Sequence, residues 1–248
     1  MYLNSLIATA PVAGTHIGLE HWQAKLDTYM AQQMADDAAH DVSHLRRVAK
    51  TALSLADIER ADKLVVVTAA YFHDLVNLPK NHPDRAHASS QSAARAIEVL
   101  KSEFPEFPLY LLDKVGHAIE AHSFSAGIRP TSIEAKVVQD ADRLEALGAI
   151  GIARVFYIAG KLGQALFDGA DPIARSRSLD DKQFALDHFQ IKLLELHKTM
   201  QTEGGRQLAL ANTEYMMRFL GKLAAELAGD MRGTDEQTIE FLTEGYAQ

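Results

Sequence analysis

The apolar residues of this chain recur at helical spacing almost from end to end, which confines it to architectures built from helices packed on helices. Between Asp41 and Ala56, Leu45, Val48, Ala52 and Leu55 fall three and four residues apart and share one helical face. Asp62 can cap a second helix, Lys63 to about Leu75. Val65, Val66 and Val67 have strand character, but the length of the run and its Ala-Ala-Tyr-Phe continuation favour a helix buried on most sides. Ser89 or Ser90 starts a helix reaching Lys101, Pro105 and Pro108 break the chain, and Leu109 to His122 reads as another helix. Thr131 and Glu134 have capping-box spacing and open a helix through Leu147. Gly148 and Gly151 are expected to interrupt there, before a helix from Ile152 to Phe167. Asp168 to Asp181 is polar and reads as a loop. Two long helices are expected over Lys182–Thr202 and Arg206–Leu227, then a frayed tail of about twenty residues.

The expectation is an all-α protein of eight or nine helices. No βαβ pattern is present, so a Rossmann or P-loop nucleotide site fails on context as well as on motif. No internal repeat or low-complexity linker divides the 248 residues.

Composition narrows the function. There are 33 acidic residues against 25 Lys and Arg, a net charge of −8, which disfavours tracking along a long nucleic acid. A small anionic substrate is compatible, because a few local cations can outweigh the average field. No apolar run approaches the roughly 20 residues of a membrane span, and LIATAPVAG near the N-terminus has no basic residue before it, as a secretory signal requires. Cysteine is absent, which removes disulfides, thiolate nucleophiles and zinc–thiolate sites, and fits a cytoplasmic protein.

Eleven histidines are many for this length, and their placement carries the chemistry. His40 and His44 lie four apart in HDVSHLRRV. His73 and Asp74 stand side by side where the apolar run ends, ahead of a loop holding Lys80, His82, Arg85 and His87. His117 and His122 lie near Val115 and Ile119, and QDADRLEALG carries Asp140 and Asp142. Imidazole and carboxylate together suit a borderline or hard divalent ion such as Mn²⁺, Fe²⁺, Co²⁺ or Zn²⁺, with Mg²⁺ less favoured by the nitrogens. Four ligands leave positions open for water and substrate, as a hydrolytic ion requires.

In order and local context, His44 in HLRRV, His73-Asp74 in YFHDLV and Asp142 in QDADRL resemble the HD-domain superfamily of metal-dependent phosphohydrolases, whose signature is H…HD…D on a helical bundle. NLPKNHPDRAHASSQSA, AIEAHSFSAG and HFQIKLLELHKTMQTEGGRQLA extend the likeness toward short, stand-alone bacterial members, over about Trp22 to Gly229. The resemblance implies an HD-domain helical bundle with additional C-terminal helices: one domain over the whole chain, with its core at about 36–165 and helices of about 182–229 packed on it. It makes His44, His73, Asp74 and Asp142 the metal ligands, with Mn²⁺ foremost among the divalent ions. Where relatives hold a second ion, Asp74 would bridge and His122, or else His117, would be the extra ligand.

The implied reaction is hydrolysis of a phosphoester or phosphoanhydride in a nucleotide or small phosphorylated metabolite, for instance a nucleoside triphosphate cut to monophosphate and pyrophosphate. Lys80, Arg85 or Arg143 would meet phosphate oxygens, and Asp74 or His122 would take the proton of the attacking water. Asn77 stands where relatives that cleave hyperphosphorylated guanosine nucleotides carry an acid, which speaks against that substrate. A di-iron oxygenase on the same fold and a nucleotide-binding HD sensor without catalysis are the alternatives; neither a membrane nor a long nucleic acid is expected as partner, and a homodimer is compatible. His188 and Lys192, four apart in HFQIK, are left without an assigned role, and Asp140 is expected either to be solvated or to hydrogen-bond a ligand histidine from behind.

Overall fold

Helix α3 (Lys63–Phe72) lies at the centre of the structure, with every residue from Val65 to Phe72 buried. Asp62 caps it as the sequence predicts, its Oδ1 accepting from the backbone N–H of Leu64 at 3.0 Å and of Val65 at 3.4 Å. The computed structural model describes residues 18–33, 42–76, 78, 82–123 and 126–246. Around α3 pack α1 (Leu19–Gln33), α2 (Val42–Glu59), α5 (Leu112–Glu120) and α6 (Ile133–Leu144), while α4 (Ala88–Glu103) covers α5. Helix α7 (Gly148–Leu162), α8 (Glu203–Leu227) and α9 (Glu236–Tyr246) extend the bundle, α8 reaching back onto α2 and α6. No strand forms among the described residues; Ala165 and Phe184 make one isolated bridge. The protein is all-α.

Helix α1 is an addition to the sequence reading. Its signal is sparse, because Trp22, Leu26 and Met30, four apart, carry the whole buried stripe of an otherwise polar segment. Trp22 stacks near Phe107 at 5.3 Å, meets Phe104 edge-on at 5.2 Å, and donates its indole N–H to Thr68 Oγ1 at 2.8 Å. Trp22→Ala is therefore expected to cost about 3–5 kcal/mol in urea denaturation, the usual range for a buried Trp. A loss under about 1 kcal/mol would show that α1 does not buttress α3.

Other boundaries moved as well. Helix α3 stops at Phe72, short of Leu75. Val76 beyond it is held by Ser92 of α4, whose hydroxyl accepts from Val76 N at 3.0 Å and donates to Val76 O at 3.2 Å. The N-cap of α6 is Ser132, not Thr131, because the Thr131 hydroxyl is engaged with His117 Nε2 at 2.9 Å. The chain breaks after α6 ends at Leu144, with Gly148 left-handed at φ 65° opening α7, but Gly151 lies within the first turn of α7 rather than in the break. A Cβ on Gly151 would run into the Ala146 carbonyl, so this glycine lets α7 start directly against the end of α6. The helix then stops at Gly163, left-handed at φ 69°, rather than at Phe167.

The largest correction concerns 182–202, expected as one long helix. It forms turns, a short π-helical turn at Phe189–Leu193 and a 3₁₀ turn at Leu196–Thr199. Side chains in this region compete with the helical ladder. Buried Asp187 accepts two bonds from Arg177, at 2.5 and 2.7 Å, and one from Asp180 N at 2.7 Å. Gln190 donates to Ile173 O at 2.8 Å. The tail expected to fray instead forms α9, where Arg175 donates to Thr238 Oγ1 at 2.8 Å and lies over the Phe241 ring.

Candidate metal centre

Four helices deliver five side chains to one point. His44 lies in the first turn of α2, His73 caps the C-terminus of α3 with Asp74 next, His122 follows α5, and Asp142 lies in the last turn of α6. His44 Nε2 is 3.4 Å from Asp142 Oδ1 and 4.0 Å from Asp74 Oδ2. His73 Nε2 is 3.5 Å from Asp74 Oδ2 and 3.7 Å from Asp142 Oδ1. His122 Nε2 is 3.7 Å from Asp74 Oδ1. Two overlapping triplets result, His44–His73–Asp142 and His73–Asp74–His122, each with ligand atoms within 4.8 Å of one another. Donors bound at about 2.1 Å to a shared ion lie roughly 3–4 Å apart, so the spacing is that of a coordination shell.

Local structure prepares the nitrogens. His73 Nδ1–H donates to Ala70 O at 2.8 Å and His122 Nδ1–H to Ile119 O at 2.6 Å, so both Nε2 lone pairs point into the cluster. His73 is fully buried, and its Nε2 has no hydrogen-bond partner. An unsatisfied buried acceptor is costly, and a metal ion is the partner that this donor set fits. The imidazoles of His73 and His122 are 0% and 7% exposed while the carboxylates of Asp74 and Asp142 are 34% and 29% exposed, so the cluster opens on its carboxylate side.

The electrostatics draw in positive charge. Burial opposes a charged His44, yet the Asp142 and Glu145 carboxylates beside it win and push its pKa up to about 9. Burial likewise works to raise Asp142, but its bond to His44 and the surrounding imidazoles hold it far below the usual carboxylate range. Burial, with His73 adjacent, lowers His122 and keeps it neutral.

The remaining candidates are placed as follows. Arg143 donates from Nη1 to Thr199 O at 2.5 Å, and Arg85 from Nη1 to Leu78 O, so each holds a backbone segment. Lys80, His40 and Asn77 lie outside the described residues. His117 accepts from Thr131 N at 3.0 Å and stands apart from the cluster. His188 pairs with Asp181 at 2.8 Å, and Lys192 is exposed. Asp140 is fully buried and accepts from Gln201 N at 2.8 Å, Thr202 N at 2.8 Å and Thr202 Oγ1 at 2.7 Å, tying α6 to the start of α8. Glu145 was passed over in the sequence. It follows Asp142 by three residues, a spacing that puts both on one helical face.

Fold and cluster define a class, and comparison with known proteins agrees. The HD-domain family model matches residues 41–147, and the chain belongs to the HD-domain family, whose members bind divalent metals. The YpgQ protein of Bacillus subtilis is 34% identical over 210 residues, covering 83% of this chain and 93% of that one. The crystal structure of YpgQ in complex with ADP matches at 32% identity and a TM-score of 0.62, over 88% of this chain and 98% of that one. An HD-superfamily hydrolase from Bacillus thuringiensis matches at 31% identity and a TM-score of 0.66, over 85% of this chain and 99% of that one.

Proposed function

We propose that the protein is a metal-dependent phosphohydrolase acting on a nucleotide or small phosphorylated metabolite, with hydrolysis of a nucleoside triphosphate to monophosphate and pyrophosphate as the leading case. The observation that carries this reading is the convergence of His44, His73, Asp74 and Asp142 around the partnerless Nε2 of His73. YpgQ in complex with ADP supports a nucleotide as the ligand class.

A divalent ion in such a cluster acidifies water and neutralises charge developing on a phosphoryl group. The chain's own residues do the rest. His44, His73, Asp74 and Asp142 would hold such an ion, and Asp74 turns one oxygen toward His73 and the other toward His122. His122, neutral and with its Nε2 lone pair directed at Asp74, can accept a proton there. In the sequence, Lys80 and Arg85 come shortly after Asp74 and are candidates to meet phosphate. Arg143, which gives one N–H to Thr199 O, is a further candidate to meet phosphate.

Of the alternatives, a di-iron oxygenase calls for two histidines beyond the signature. His122 is at the cluster, whereas His117 Nε2 is taken by Thr131. A sensor without catalysis sits poorly with a complete ligand set. The test is a screen of chelated protein with Mn²⁺, Co²⁺, Mg²⁺ or Zn²⁺ against nucleotides and sugar phosphates, reading phosphate and pyrophosphate release. Turnover restored by metal alone is the expected result. No release with any metal and substrate would overturn the proposal.

A further inference from the structure

Three imidazoles line the cluster, and their outer nitrogens are held in two different ways. His73 and His122 each donate Nδ1–H to a carbonyl three residues back, Ala70 O and Ile119 O, so the backbone fixes both rings. His44 turns its Nδ1 instead to a side chain, Glu145 Oε2, at 3.4 Å. Because Glu145 lies three residues after Asp142, the end of α6 presents two carboxylates to the same ring. Asp142 Oδ1 is 3.4 Å from Nε2, and Glu145 Oε2 is 3.4 Å from Nδ1. The Glu145 carboxylate is itself buried, 8% exposed, and is held from two other helices. Arg47 of α2 donates Nε–H to Oε2 at 2.8 Å, and Arg154 of α7 brings Nη1 within 3.9 Å.

We infer that Glu145 is a positioning residue for His44: it accepts the Nδ1–H, leaves Nε2 as the nitrogen that can ligate, and aims it at Asp142 and Asp74, where a divalent ion would be held. The inference rests on the metal-centre reading above. Carboxylate acceptors on the far nitrogen of ligand histidines act this way, fixing ring orientation and strengthening the donor. Without Glu145 the His44 ring has nothing else among the described contacts to fix its Nδ1 edge, whereas His73 and His122 keep their carbonyls. Arg47 and Arg154 hold the carboxylate in place and balance its buried charge.

The test is Mn²⁺ affinity, measured by electron paramagnetic resonance of the free ion on full-length protein and independent of any activity. Glu145→Ala is expected to weaken binding about 10- to 100-fold. Glu145→Gln, which keeps an acceptor oxygen, should lose less, with far-UV CD and melting temperature reporting that both variants fold. In a His44→Ala background, Glu145→Ala should cost nothing further, because its effect runs through that ring. Arg47→Gln removes an ion pair but leaves the carboxylate on the imidazole, and should retain most of the affinity. Wild-type affinity in Glu145→Ala, or an equal further loss on top of His44→Ala, would overturn the inference. A wild type that binds no divalent ion would overturn it together with the metal-centre reading. One that binds Mn²⁺ but cleaves no phosphoester would leave Glu145 in its role and remove only the proposed reaction.

Discussion

His73→Ala and Asp74→Ala are each expected to reduce metal-dependent turnover by at least about a thousandfold, roughly 4 kcal/mol of transition-state stabilisation at 1.36 kcal/mol per tenfold. His73 belongs to both triplets, so its loss removes the Nε2 donor whichever of the two would hold an ion. Asp74 supplies the two oxygens that face His73 and His122. The two variants also separate catalysis from folding. His73 is fully buried and its truncation leaves a small cavity. Asp74 lies one-third exposed, so its loss should spare stability. Turnover with saturating Mn²⁺, beside far-UV CD and Mn²⁺ binding, reads all three effects. Unchanged turnover in either variant would remove the cluster from the mechanism.

The second large effect is expected on stability, at residues outside the cluster. Arg177→Ala should cost about 3–5 kcal/mol, the range for stripping one partner from a buried ion pair. It leaves the Asp187 carboxylate with no exposed surface and with Asp180 N as its remaining donor among the described contacts. The Arg177 guanidinium also lies 4.7 Å from the Phe184 ring centre, so packing is lost with the charge. For a chain of this size the change corresponds to a melting temperature lower by roughly 6–20 °C. Adding Asp187→Asn to Arg177→Ala should recover part of the loss, because the uncompensated charge is then gone. A single-variant loss under about 0.5 kcal/mol would show that the pair does not organise the segment from 168 to 202.

That segment marks where local reasoning stops. Leu45, Val48, Ala52 and Leu55 make a helix by their own spacing, and Asp62 caps α3 through its immediate neighbours, so both were legible. The apolar residues of 182–202 have helical spacing too, yet Asp187 finds Arg177 ten residues back, Gln190 finds Ile173, and the ladder gives way to turns. Thr131 lost its capping role to Ser132 through a bond with His117, fourteen residues away. Helix α9 was hidden because its partners, Arg175 and Gly221, lie far back in the chain. In each case a side chain from another segment competed with a local preference and won.

For the cluster, sequence alone determined which residues could meet. Local context around His44, His73-Asp74 and Asp142, with His122 or else His117, pointed to side chains from four helices, and periodicity put each beside an apolar face that had to be buried. Only the tertiary structure decided how they meet: which nitrogen of each ring faces inward, that Arg85 and Arg143 each give an Nη1 donor to a backbone carbonyl, and that Glu145 closes on the outer edge of His44. Those are matters of distance between elements far apart in the chain. Periodicity sets which face of a helix is buried, but the direction of a lone pair depends on packing against the other helices.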